Sequence, residues 1–121
     1  MQRERQMPRA TATTPTTPFD TVEDAWFWFM EANAARQEGA RFGAGRGLVS
    51  RPCEPLDVLR VVDRLYRNRR LFREHLLVLA HYGRRHMPPD PQRRREIRAH
   101  AIWTEAFDRI SPVLREKGIV A

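Results

Sequence analysis

Apolar side chains recur at helical spacing in four segments of the chain, and the first segment runs from Asp20 to Glu38. Thr21 and Asp24 have the form of a capping box at its start, and Gly39 is a stop signal at its end. The spacing therefore predicts a helix. Its predicted inward stripe comprises Val22, Trp26, Phe29, Met30 and Asn33.

Two aromatic residues of this segment, Phe27 and Trp28, fall outside the inward stripe. Apolar residues on several faces of a helix indicate either that other helices surround it or that part of it binds a partner. Tryptophan is a common hot-spot residue at protein interfaces. Phe27 and Trp28 are therefore candidate partner-interface residues.

The second and third segments lie on either side of a predicted break at Asn68-Arg69. Pro55 suits the first turn of a helix over residues 55–68, and a further helix is expected over residues 70–82, with Gly83 as its stop signal. The inward positions expected of the second helix are Val58, Leu59, Val62, Leu65 and Tyr66. Those of the third are Leu71, Phe72, His75, Leu76 and Leu79.

A proline-rich corner at residues 87–91 separates the third segment from the fourth. Asp90 followed by Pro91 predicts the start of a last helix that ends at Gly118, and Pro112 is expected to bend or split that helix. Its apolar positions are Ile97, Ala101, Ile102, Trp103, Ala106, Phe107, Ile110, Val113 and Leu114. No β-hairpin signal interrupts these patterns. The predicted fold is all-α, a single domain of four or five helices.

Two segments lack an apolar period. Residues 1–19 are rich in threonine, proline and alternating charge, which predicts a disordered tail before a helical domain over residues 20–121. Residues 39–53 are predicted to form a loop, and a flexible connection explains Gly43–Gly47 better than a phosphate-binding loop does.

Basic charge is concentrated in one part of the chain. The net charge is +7, and 12 arginines share the window from Arg60 to Arg98 with only four acidic residues. An anionic partner would account for this excess, because arginine binds phosphate well. The alternative is a GC-rich genome, whose codons favour arginine. The candidate nucleic-acid-binding residues are Arg67, Arg69, Arg70, Arg73, Arg84, Arg85, Arg93, Arg94, Arg95 and Arg98.

Catalytic and metal-binding patterns are missing from the sequence. The four histidines do not form a ligand pattern, and His75 falls on an apolar stripe, where a core histidine is the ordinary explanation. Cys53 is the only cysteine, so it is expected to be a packing residue. We expect no catalytic residue, no metal and no cofactor, and the protein is not expected to be an enzyme.

The single cysteine favours a cytoplasmic protein, and no apolar run is long enough for a membrane span or a signal peptide. The segment from Thr17 to Val120 resembles a family of short helical bacterial proteins in its TPFDTVEDAWFWF, RPCEP, VVDRLYR, HYGRR, PPDP and LREKGIV stretches. That resemblance implies no activity. The HYGRR stretch and the long helix after it are also similar to a helical region of sigma-like and phage antitermination proteins.

Two hypotheses of function follow. The first is a small nucleic-acid-associated helical protein, a transcriptional or phage-type regulator, with DNA favoured only weakly over RNA as its partner. The alternative is an adaptor or subunit without catalysis that docks on an acidic protein partner. The oligomeric state is not predicted.

Overall fold

The computed structural model describes residues 15–39 and 49–121, and these form four α-helices without a β-strand. The helices are α1 (Val22–Gln37), α2 (Pro55–Arg67), α3 (Arg73–Arg85) and α4 (Ile97–Glu116), with a 3₁₀ helix at Arg94–Glu96. The all-α prediction is confirmed for these ranges. Residues 1–14 of the expected tail and residues 40–48 of the expected loop, which include Gly43–Gly47, lie outside the described residues.

Helix α1 begins at the predicted cap and contacts all three other helices. The hydroxyl of Thr21 accepts a hydrogen bond from the Asp24 amide at 3.1 Å. The ring centroids of Phe27 and Trp103 are 5.8 Å apart, and those of Trp28 and Phe19 are 5.0 Å apart. Both aromatic residues are half-buried. Phe27 therefore packs against α4, whereas Trp28 packs against the segment that precedes α1.

Gly83 does not stop α3, which corrects the prediction. The helix continues to Arg85, and Gly83 is buried against α1. A Cβ atom at Gly83 would lie 2.8 Å from Met30 Cγ and 2.8 Å from Trp26 Nε1. The indole of Trp26 donates a hydrogen bond to the Leu79 carbonyl at 3.0 Å, across the same crossing. Glycine at this position lets α1 and α3 approach closely.

The buried face of α2 differs from the predicted one. Val61 is buried with Val58, Val62 and Leu65, whereas Leu59 and Tyr66 are exposed. These two residues lie at the edges of the apolar stripe, and the packing of α2 against α1 and α4 centres the buried face on Val61. The predicted inward positions of Leu59 and Tyr66 are therefore wrong.

The third helix also begins later than predicted, at Arg73 rather than Arg70. Phe72 is its N-cap residue and is exposed, so its predicted inward position is wrong. Leu71 precedes the helix and is fully buried. Phe72 has an extended backbone rather than a helical one, so its side chain does not follow the stripe that helical spacing predicts.

Helix α4 begins later than predicted and is not split by Pro112. The Asp90 amide donates to Glu96 Oε1 at 2.9 Å, so residues 90–96 form a turn and a 3₁₀ helix instead of starting the α-helix. Pro112 has no amide hydrogen, so the carbonyl one turn before it lacks a backbone donor. Because Pro112 is exposed, water can hydrate that carbonyl. Ile97 and Ala101 are also exposed, whereas the helix buries Trp103, Phe107 and Leu114 among others.

Phe19, the residue before the predicted start of the helical domain, is buried and pairs with residues 119 and 121. The Phe19 amide donates to the Ile119 carbonyl, and the Ala121 amide donates to the Phe19 carbonyl, both at 2.9 Å. These bonds form a parallel bridge between Phe19 and Val120. Among the described helices, none combines the length and the apolar character that a bilayer-spanning segment requires.

Candidate nucleic-acid interface

The end of α2 leads into a short linker, residues 68–72, whose backbone reverses at Arg69. Arg69 has a φ of 62°, in the left-handed region. Its amide donates to the Tyr66 carbonyl at 3.1 Å, and the Arg70 amide donates to the Leu65 carbonyl at 2.8 Å. This pair of bonds is a Schellman motif, in which the left-handed position is usually occupied by glycine or asparagine. The predicted break at Asn68-Arg69 is thus confirmed, with an arginine at its turning point.

A buried histidine fixes the far end of this linker. His75 is 1% exposed, and its Nδ1 accepts a hydrogen bond from the Phe72 amide at 2.9 Å. Because Nδ1 accepts, the ring proton is on Nε2, which donates to Glu105 Oε1 on α4 at 2.7 Å. Both ring nitrogens are therefore engaged, and His75 is the satisfied core histidine that its place on the apolar stripe predicts.

The same network reaches the middle of the linker. Arg109 contacts Glu105 Oε2 at 3.3 Å and donates to the Arg70 carbonyl at 2.9 Å. The hydrogen bond from His75 and the charge of Arg109 lower the pKa of Glu105. We call His75, Glu105 and Arg109 the linker network. It ties the linker backbone to α3 and α4 at two points, Arg70 and Phe72.

A shallow groove of about 470 Å³ lies over this linker. We call it the linker groove, and its lining residues are Tyr66, Arg67, Arg69, Leu71, Phe72 and Arg73. Tyr66 is 44% exposed and Phe72 is 51% exposed, so both rings are accessible to a ligand. The groove therefore combines three guanidinium groups with two open aromatic rings.

All ten candidate arginines are exposed, but four of them have partners within the protein. Arg67 pairs with Asp63 at 3.1 Å, and Arg98 pairs with Glu74 at 3.4 Å. Arg93 lies between Asp90 and Glu96, at 3.8 and 3.6 Å, and Arg85 lies 3.5 Å from His81. The six whose guanidinium groups have no partner within residues 15–39 and 49–121 are Arg69, Arg70, Arg73, Arg84, Arg94 and Arg95.

The structure brings only some of these arginines together. Arg67, Arg69 and Arg73 share the linker groove. Arg85 and Arg93 line a smaller depression, where Asp90 and Glu96 offset their charge. Arg84, Arg94 and Arg95 line neither of these two depressions. Phe27 and Trp28 line another depression, beside Phe19 and away from the linker groove.

Sequence reasoning missed the two aromatic residues of the groove. Helical spacing predicts inward positions for both Tyr66 and Phe72. A local signal for Phe72 is present in the sequence. It follows the predicted break closely and has a basic residue on either side, Arg70 and Arg73. For Tyr66 the signal is weaker, because it is a regular member of the α2 pattern.

A second cavity, of about 570 Å³, lies beside Cys53 and is floored by apolar residues of α2 and α4. Burial and the neighbouring carboxylates of Asp57 and Glu54 raise the pKa of the Cys53 thiol to about 11. At neutral pH this thiol stays protonated, which makes it a poor nucleophile. Arg64 and Lys117 line the cavity at the ends of their helices, where the helix dipole favours positive charge.

Comparison with known proteins adds no further assignment. The chain matches no protein-family model, no curated protein and no solved structure. Within the described ranges, no group of three or more histidine, cysteine, aspartate or glutamate side chains could hold a metal ion. The geometry of the arginines and of the linker groove is therefore the basis for a functional proposal.

Proposed function

We propose that this protein binds nucleic acid through phosphate contacts made by the arginines around the α2–α3 linker. The observation that carries the proposal is that six exposed arginines of the basic zone have no acidic partner among the described residues. Three of them, Arg69, Arg70 and Arg73, fall within five residues of sequence. A phosphate backbone supplies the negative charge that the protein itself does not supply there.

Local stability does not explain Arg73. It occupies the first turn of α3, where the helix dipole favours negative charge and a cation is unfavourable. In the same turn Glu74 is paired with Arg98 of α4, so it is not a dedicated partner of Arg73. An external anion would give Arg73 a favourable partner.

Binding of this kind is sequence-independent and sensitive to salt. The test is a fluorescence-anisotropy titration with a labelled oligonucleotide over a range of salt concentrations. The proposal expects binding at low salt, with an affinity that falls as a power of the salt concentration. No binding at 50 mM salt would overturn it.

A matched pair of triple variants separates a specific surface from overall charge. Arg69→Gln, Arg70→Gln and Arg73→Gln together should weaken binding by about tenfold or more and reduce the slope of log affinity against log salt by about 2. The control is Arg36→Gln, Arg60→Gln and Lys117→Gln, which removes the same charge from exposed positions outside the linker. Equal losses in both variants would mean that the linker has no special role.

A further inference from the structure

We infer that the linker groove binds single-stranded nucleic acid, with unpaired bases stacked on Tyr66 and Phe72 and phosphates held by Arg69 and Arg73. This inference rests on the proposed function and adds the class of nucleic acid to it. It begins from the composition of the groove, which combines cations with exposed aromatic rings. Stacking platforms within a basic groove are the usual means of binding single strands.

The rings of Tyr66 and Phe72 have few contacts with the rest of the described protein, and both are exposed to solvent. Phe72 lies 5.9 Å from the buried His75 ring at a tilt of 32°, yet it remains 51% exposed. Tyr66 has no ring contact and no hydrogen bond through its hydroxyl among the described residues. A duplex presents base edges in its grooves and keeps the base faces stacked inside. An unpaired base can therefore stack on these rings without the cost of unstacking a duplex.

Arg69 gives a second, independent indication. A non-glycine residue with positive φ is disfavoured, and such residues concentrate at functional positions. His86 ends α3 in the same conformation, with a φ of 55°, and its ring stacks on Phe27 at 5.9 Å. The side chain of Arg69 has no contact of this kind within the described chain. A ligand in the linker groove would provide the compensating contact that Phe27 provides for His86.

The groove is also fixed before any ligand arrives. The linker network bonds the Phe72 amide through His75 and the Arg70 carbonyl through Arg109. The backbone that carries Arg69 and Phe72 is thereby attached to two helices. A preformed groove of this kind avoids part of the ordering cost that binding otherwise requires.

The test compares one labelled 12-nucleotide DNA strand with the duplex of the same sequence, at one salt concentration. The wild-type protein should bind the single strand at least tenfold more tightly than the duplex. Tyr66→Leu with Phe72→Leu keeps apolar side chains but removes both rings, and should weaken single-strand binding by about tenfold for each ring while leaving duplex binding unchanged. The control, Leu59→Ala with Leu77→Ala, changes two exposed apolar residues outside the groove.

The outcomes separate the inference from the proposed function. Equal binding of strand and duplex, together with full affinity in the ring variant, would overturn the inference and leave phosphate binding in place. If neither form of DNA binds at low salt, both fail. A strand of abasic sugar-phosphate provides a further readout, because the wild type should bind it no better than the ring variant does. Circular dichroism of each variant establishes that a loss of binding is not a loss of fold.

Discussion

The ends of α2 and α4 have the same backbone geometry but differ in the residue that occupies the left-handed position. At the end of α4, Gly118 has a φ of 78° and donates to the Arg115 carbonyl at 3.0 Å, while the Ile119 amide reaches the Leu114 carbonyl at 2.9 Å. At the end of α2 the corresponding bonds form around Arg69, at 3.1 and 2.8 Å. One end therefore has the residue that this turn favours, and the other has an arginine.

The difference distinguishes a requirement of folding from a requirement of binding. A Cβ atom at Gly118 would meet nothing within 4 Å, so glycine is needed there only for its backbone conformation. Arg69 faces the same conformational demand with a large side chain that has no partner in the described part of the protein. We interpret Arg69 as a residue retained for the ligand at a small cost in stability, which is common at functional positions.

Among the variants that test this comparison, His75→Ala is expected to have the largest effect on the free energy of unfolding. The change removes a buried side chain, leaves the Phe72 amide without its acceptor and removes one of the two partners of Glu105, which should cost about 3 kcal/mol of unfolding free energy. Urea denaturation measures it, and hydrogen exchange should show lost protection at Phe72 before Ile119. His81→Ala, an exposed histidine on the same helix, is the control and should cost less than about 0.5 kcal/mol. Equal costs for the two histidines would contradict the anchoring role of His75.

Gly83→Ala is expected to have the next largest effect on stability. It separates a glycine that is needed for space from one, Gly118, that is needed for its backbone conformation. Gly83 is needed for space, because its Cβ would lie 2.8 Å from atoms of Trp26 and Met30. Crowding at this crossing should destabilise the fold by about 2 kcal/mol. The contrast is Gly118→Ala, which has open space and should cost only about 1 kcal/mol for its conformation. The two values are measured by chemical denaturation, and a Gly83→Ala variant as stable as the wild type would show that α1 and α3 adjust freely.

A reciprocal exchange tests the comparison directly. Gly118→Arg should destabilise the protein by about 1 kcal/mol, and Arg69→Gly should stabilise it by up to about 1 kcal/mol, since each changes the residue in a left-handed conformation. Arg69→Gly should also bind nucleic acid more weakly, so stability and affinity should move in opposite directions. Arg70→Gly is the control, because Arg70 does not have a positive φ and should gain no stability. If Arg69→Gly is no more stable than Arg70→Gly, the conformational argument is wrong.

The smallest expected effect is a dependence of stability on pH. The pKa of Glu105 is lowered in the folded protein by the hydrogen bond from His75 and by the charge of Arg109. Its ionised form therefore stabilises the fold above the ordinary pKa of 4.5, and this contribution is lost as the pH falls through the lower folded value. Denaturation midpoints of wild type and Glu105→Gln should differ at pH 7 and converge in acid. Glu116→Gln should follow the wild type throughout, and a constant gap for Glu105→Gln would exclude this linkage.

Sequence reasoning succeeded where the deciding chemistry lies within a few residues. The cap at Thr21, the break at Asn68-Arg69 and the end of α4 at Gly118 each depend on local hydrogen bonds and backbone preferences. It failed where a distant element decides. Gly83 has the local pattern of a stop signal, and only the approach of α1 makes it an interior residue of α3.

The candidate groove was predictable in its charge but not in its aromatic part. The arginines stand out in the sequence because their excess is local. Tyr66 and Phe72 do not stand out, because helical spacing alone cannot decide whether Val61 or Tyr66 faces the core. That choice depends on how α2 is rotated against α1 and α4, which is a property of the packed protein.

The bridge between Phe19 and Val120 has a mechanical consequence. Its two segments run parallel, so a pull on residue 15 and on residue 121 draws them in opposite directions along the bridge. The two hydrogen bonds at Phe19 are then loaded together, in shear, instead of opening one after the other. Because Phe19 and Val120 are both buried, sliding them apart would also expose apolar surface. Tension between these two positions therefore loads this seam together with the hydrogen bonds that join Thr17 to Ser50 and Arg51, before the helices are disturbed.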